Sequence, residues 1–197
     1  MIIPDPQFKP VNVNLNGKSF CDKISEIWHN PPRFELCADW IVTLDDGLEI
    51  IVPKGFITDF ASIPRLLWAI PGFAPSGPLL CGSILHDFGF QYGYLLAIPS
   101  SATLPFPKAS LALKERYKSR FGEYVPAFAG YRQVFFDNLM SGITIEKTGA
   151  KFIANSARKA LDKFGHHAWN RYRIIGPTAY NSNSLGLPGI TMSGVSF

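Results

Sequence analysis

Three short segments of this chain carry residue types able to do chemistry. The first is Gly55-Phe56-Ile57-Thr58-Asp59-Phe60-Ala61-Ser62-Ile63-Pro64, and the second is Leu85-His86-Asp87-Phe88-Gly89-Phe90. The third runs from Arg132 through Asp137 to Met140. A histidine inside an apolar stretch, followed directly by aspartate, asks for partners. A buried imidazole needs a hydrogen bond, and a buried carboxylate needs a donor or a metal. A neutral imidazole with one nitrogen fixed by a carboxylate can accept a proton from water, so a histidine such as His86 could serve as a base if a carboxylate holds it. The competing reading is an internal polar network of Asp59, His86, Asp87 and Asp137 that joins a hairpin to helices. Asp59 and Ser62 are also residue types that cap helices.

Other chemistries are poorly served. The histidines are His29, His86, His166 and His167. Neighbours on a helix diverge by about 100°, so His166 and His167 suit a solvated helix end better than a zinc site. Cys21, Cys37 and Cys81 have no C-x-x-C spacing and read as buried free thiols. There is no G-x-S-x-G elbow and no phosphate-binding glycine loop.

The elements that must position these residues begin with a hairpin. Phe34, Leu36, Ala38, Trp40, Val42 and Leu44 alternate with polar positions, the period of a half-buried strand. Asp45-Asp46-Gly47 supplies a tight turn, and Leu48, Ile50 and Val52 resume the alternation up to Pro53. Trp40 and Val42 are expected to face helices, with Glu35 and Asp39 facing solvent or a partner. An earlier strand is expected over Val11–Leu15, with a turn at Asn16-Gly17. Helices are expected over Ser62–Trp68, Leu79–Phe90, Ala109–Phe121 and Phe128–Met140, Pro64 being tolerated in the first turn of its helix. The clearest helical stripe, Ile153, Ala157, Ala160, Leu161 and Phe164, predicts a helix over about 146–164 closed by Gly165. Loops are expected over Pro71–Pro78 and Pro99–Pro107. The expected fold is α+β: a short antiparallel sheet on four to five helices, with a single domain over 1–175 and an extended C-terminal arm over 176–197. The scattered apolar residues of that arm predict few contacts to its own domain and a neighbouring subunit as partner.

The chain has 197 residues with 47% hydrophobic and 17% charged content, which excludes a mostly disordered polymer. A chain of this length buries enough surface to fold without disulfide or metal staples. No apolar run approaches the roughly 18–20 residues needed to span a bilayer. Met1-Ile2-Ile3-Pro4-Asp5-Pro6 lacks the pattern of a secretory signal, so synthesis in a cytoplasm is the expectation. Charge is uneven: residues 108–173 hold 13 basic and 5 acidic side chains within a chain of net +4. Without interleaved aromatic residues this asymmetry reads as solvated helix faces, and nucleic-acid contact is not favoured.

The order of these motifs resembles a phage family known as domain of unknown function 1353. Thr58, Asp59, Ala61, Ser62, Ile63 and Pro64 meet its T-D-x-A-S-I-P motif, and His86 and Asp87 meet its H-D-x-x-aromatic motif. Asp137 meets its third motif, and Phe164-Gly165 followed by Trp169 is similar to the family's end. The aromatic position is Phe90 here, so it offers no phenol, and an inserted stretch separates His86 from Asp137. The His-Asp pattern with a distant Asp also resembles the core of sn-2 phospholipases. That resemblance implies His86 as general base, Asp87 as a calcium ligand with carbonyls from Gly72–Pro78, and Asp137 as the orienting acid.

The expected function is a bacteriophage virion component of the tail or a tail junction, localised to the particle, with other virion proteins or copies of itself as partners and no cofactor. The alternative is a phage-encoded hydrolase acting on lipid or cell wall through His86 and Asp137, with calcium. A third reading is an intracellular host-modulating binder using the basic helices.

Overall fold

The computed structural model describes residues 1–11, 16–23, 33–59, 77–98 and 124–190. The strand residues 12–15, the Ser62–Trp68 helix with Ser62 and Pro64, most of the Pro71–Pro78 loop, the 99–107 loop, the basic helix over 109–121 and the end of the arm, 191–197, lie outside the described residues.

Among the described residues seven strands form two small antiparallel sheets. One holds β1 (Phe8–Val11), β2 (Arg33–Leu36) and β5 (Ile57–Thr58) in the order β1-β2-β5. The other holds β3 (Trp40–Thr43), β4 (Glu49–Val52), β6 (Leu95–Ala97) and β7 (Val125–Ala127) in that order. The helices are α1 (Leu80–Tyr92), α2 (Gln133–Thr148), α3 (Lys151–Ile175) and α4 (Ala179–Leu185). The α+β class is as expected.

The hairpin forms where its alternation and turn place it, with Trp40 opposite Val52 and Val42 opposite Ile50. Gly47 at φ 80° takes the left-handed position that closes the three-residue turn after Leu44. Trp40 and Val42 are buried, while Asp39 is exposed. The strand expected to run unbroken from Phe34 to Leu44 is instead two strands in different sheets. At the break the Cys37 N–H donates to Gln7 and the Asp39 carboxylate accepts from the Lys54 N–H at 2.7 Å, so the backbone turns out of one ladder into the other. Ala38 is exposed at that corner. Of the cysteines, only Cys81 is buried; Cys21 is exposed and Cys37 half-buried.

The helices differ from expectation at their ends. Residues Val125–Ala127 pair with β6, so α2 starts at Gln133 rather than Phe128. Gly149, at φ 70°, ends α2, and α3 starts afresh at Lys151. Gly165 does not terminate α3, which continues for ten more residues to Ile175. Its lack of a side chain serves packing instead: a Cβ there would lie 2.6 Å from Nε2 of Gln133. Phe164, expected on the buried stripe, is 55% exposed, while Ala157 and Leu161 are buried.

The C-terminal segment is also not a loose extended arm as far as Ile190. It forms α4, buries Asn181 and Ile190, and bonds to its own domain through Ile190 N–H to Tyr92 O and Tyr94 OH to Pro188 O. The reason is polar: Asn181, Ser184 and backbone groups supply the contacts that its sparse apolar residues do not.

At the centre lies α1. Every residue from Cys81 to Tyr92 is buried, and the helix packs on α2, α3, β4, β5 and β6. Phe56, Phe88, Tyr92 and Tyr94 form an aromatic cluster on one side of it. An apolar helix enclosed in this way has no solvent face, so any polar side chain it carries must be satisfied from within.

Candidate functional site

The central helix brings His86 to α2 through two glycines. Gly82, His86 and Gly89 recur at i, i+4 and i+7 and so share one helix face. A Cβ on Gly82 would lie 2.5 Å from the Met140 carbonyl oxygen, and one on Gly89 would lie 2.2 Å from Cδ1 of Phe136. The two helices therefore touch backbone to side chain above and below the histidine, and Asp137 comes within reach. His86 Nε2 and Asp137 Oδ1 are 2.8 Å apart, and both residues are completely buried.

The second carboxylate comes from the same helix. Asp87 Oδ1 lies 3.6 Å from His86 Nδ1, within ion-pair range but beyond a good hydrogen bond. The Thr58 hydroxyl donates to Asp87 Oδ2, which ties β5 to α1. Gln133, one turn before Asp137 on α2, donates its side-chain N–H to Asp137 Oδ2 and to the Leu161 carbonyl, both at 3.0 Å. The cluster thus links β5, α1, α2 and α3. Phe90 lies one turn beyond His86 and covers the imidazole, ring centroids 3.9 Å apart, and Trp169 packs edge-on against Phe90. The aromatic of the H-D-x-x motif acts here as a lid over the histidine, a task that needs a ring and no phenol.

Burial disfavours a charged imidazole at this place. The hydrogen bond to Asp137, the nearby Asp87 carboxylate and the negative charge of both outweigh it, and the His86 pKa stands above its ordinary 6.5. The arrangement can hold an imidazole in one orientation and stabilise its protonated form between two carboxylates. A base of that kind could take a proton, provided a substrate or water reaches Nδ1.

Of the residues singled out in the sequence, Thr58, His86, Asp87 and Asp137 come together. Asp59 instead lines an adjacent cleft of about 590 Å³ with Arg33, Arg171 and Tyr172. His166 and His167 are exposed with their rings 3.9 Å apart. Among the described residues no group of three or more His, Cys, Asp or Glu is arranged to hold a metal ion. The calcium ligation implied for Asp87 would have Asp87 as its protein carboxylate, and residues 72–76 of the loop expected to add carbonyls lie outside the described residues.

Sequence reasoning missed Gln133, which has no motif around it, and the Gly82-x-x-x-His86-x-x-Gly89 face, which the spacing alone could have revealed. It also missed Arg173. This buried guanidinium donates to the Phe90 and Gln91 carbonyls at the end of α1, lies 4.4 Å from the Trp169 ring, and has its pKa lowered to about 10 by burial.

Residues 34–110 match the family model described as "Protein of unknown function (DUF1353)". That region includes Thr58, Asp59, Ser62, Pro64, His86 and Asp87 and stops short of Asp137, whose pairing with His86 rests on geometry. A stretch of 57 residues is 40% identical to the uncharacterized protein y4jT of Sinorhizobium fredii (strain NBRC 101917 / NGR234). The match covers 29% of this chain and 17% of that protein. No solved structure matches the chain.

Proposed function

We propose that the chain is a non-catalytic structural component of a bacteriophage particle, placed in the tail or a tail junction, and that the Asp87–His86–Asp137 cluster fixes its fold. Burial carries the non-catalytic half of this reading. His86 and Asp137 are 0% exposed, and the imidazole is sandwiched among Asp87, Asp137 and the Phe90 ring. A general base must reach the proton it removes, directly or through one water, whereas an internal clamp needs closure. The phage half is supported by the resemblance of the Thr58–Pro64 and His86–Asp87 motifs to a phage family. Mass spectrometry of purified particles of the encoding phage tests the proposal. The chain should be present in a fixed ratio to the tail proteins. Particles that assemble and infect without containing it would refute the reading.

One observation favours a hydrolase as second reading. Asp137 holds Nε2 at 2.8 Å, as the carboxylate of a His–Asp pair fixes an imidazole for proton transfer at its other nitrogen. Calcium-dependent release of fatty acid from phospholipid micelles by the purified chain, abolished in His86→Gln with folding intact, would replace the structural reading with this one.

A further inference from the structure

The outward face of α3 holds no member of the Asp87–His86–Asp137 cluster. The helix buries Ala154, Ala157, Leu161 and Gly165 on one side. Phe152, Lys159, Lys163, Asn170 and Ile174 recur at intervals of seven, four, seven and four residues, which places them on one line along the opposite side. All five are solvent-exposed, Phe152 at 79% and Ile174 at 68%. At about 1.5 Å per residue the apolar ends of this line lie about 33 Å apart. Phe164 and Ile175 are exposed beside it, so four of the ten large apolar side chains exposed among the described residues sit on one helix. Apolar residues scattered singly need no explanation, but such a concentration does. The charge on this face has one sign. Outside the core α3 carries Lys151, Arg158, Lys159, Lys163 and Arg171 against a single carboxylate, Asp162, which accepts from Arg158 at 3.2 Å. Lys151, Lys159 and Lys163 form no ion pair among the described residues. Lys163 instead places its ammonium 5.4 Å from the centre of the Phe164 ring.

From this combination we infer that α3 lies with its outward face on an anionic lipid bilayer, Lys159 and Lys163 meeting lipid phosphates and Phe152 and Ile174 entering the boundary with the acyl chains. No described helix is long and apolar enough to cross a membrane, so the contact is one of lying on the surface. Apolar side chains set among lysines suit a bilayer, which is fluid and supplies headgroups wherever a cation falls. A protein partner suits them less, because lysine is depleted at the centre of protein interfaces. A second copy of this chain is disfavoured, since two such cationic faces would repel. Nucleic acid would neutralise the lysines and leave Ile174 and Ile175 without a partner. Membrane contact through α3 needs no chemistry from His86, which is buried on another helix.

Co-sedimentation of the purified chain with lipid vesicles tests this. At low ionic strength it should bind vesicles of equal parts phosphatidylglycerol and phosphatidylcholine about tenfold or more tightly than vesicles of phosphatidylcholine alone, and added salt should weaken the binding. Lys159→Glu combined with Lys163→Glu, both at exposed positions, should leave the melting temperature unchanged and weaken binding to the anionic vesicles about tenfold or more. Phe152→Ser combined with Ile174→Ser, with the melting temperature again unchanged, should also weaken it about tenfold, which a contact made by charge alone would not show. Equal affinity for the two kinds of vesicle, or unaltered affinity for the anionic ones in either double variant, would overturn the assignment. Binding of polyglutamate or of duplex DNA that falls in both double variants would reassign the face to an acidic protein or to nucleic acid, and would overturn it as well.

Discussion

The side-chain amide of Asn181 reads the backbone of Ile57 from both sides: it accepts the Ile57 N–H at 2.7 Å and donates to the Ile57 carbonyl at 2.8 Å. Ile57 belongs to β5, the edge of its sheet, so a side chain from α4 occupies the place of a further strand. The same amide donates to Gln91 Oε1 at 2.7 Å, where the Thr178 hydroxyl also donates. One residue thereby fastens the C-terminal segment to a sheet edge and to the end of the central helix, and shields that edge from other chains.

Replacing Asn181 by Ala should cost about 1–3 kcal/mol, because part-buried backbone groups of Ile57 lose their partner and Gln91 Oε1 loses one of its donors. Hydrogen exchange at the Ile57 amide should accelerate. Exchange as slow as in the parent protein would show that α4 is held by other contacts.

The buried histidine makes stability depend on pH. A pKa raised on folding contributes stability that is complete below the unfolded value and fades as pH climbs through the folded one. For His86 the melting temperature should therefore decline as pH rises from 6.5 upward. His86→Gln, which keeps volume and some hydrogen bonding, should lower stability by about 1–3 kcal/mol and flatten this slope. An identical slope in both proteins would mean that His86 is not the titrating group.

Contact between α1 and α2 depends on the missing side chains of Gly82 and Gly89. Gly89→Ala pushes a methyl into the buried Phe136 ring, and Gly82→Ala pushes one into a backbone carbonyl that cannot swing aside. Each should destabilise by about 1–3 kcal/mol, Gly82→Ala the more. Denaturant titration reads both, and a neutral Gly82→Ala would contradict the close helix approach.

Trp40 anchors the hairpin, 3% exposed, with its indole N–H donating to the Pro4 carbonyl at 2.9 Å. Trp40→Ala should cost about 3–5 kcal/mol. A soluble variant with an unchanged melting temperature would mean that the indole faces the other way.

Patterns with a short period were legible in the sequence. The β3–β4 hairpin followed from alternation and an Asp-Gly step, and the centre of α3 from its Ala157–Leu161 stripe. Ends were less legible, because Gly149 and Gly165 look alike in sequence while one stops a helix at positive φ and the other makes room for Gln133 inside one. The break at Cys37–Asp39 was invisible, since side-chain alternation continues through a corner where the backbone changes partners. His86, Asp87 and Asp137 stood out because charge in apolar surroundings is rare. Gln133, Arg173 and Asn181 did not, because each acts on backbone carbonyls or amides that have no sequence identity. The packing of the C-terminal segment was illegible for the same reason: its anchoring through Asn181 and Ser184 is polar, and its sparse apolar residues carry no trace of it.

The enclosure of α1 also bears on how the chain is made. A helix with no polar face cannot rest against water, and its cover comes largely from α2, whose last residue, Thr148, follows Tyr92 by 56 positions. At about 5–20 residues per second of synthesis, that is roughly 3–11 seconds in which a finished apolar segment waits for its partner. During this interval nascent α1 is a ready site for a ribosome-associated chaperone, and translation pauses between codons 92 and 148 would lengthen the wait.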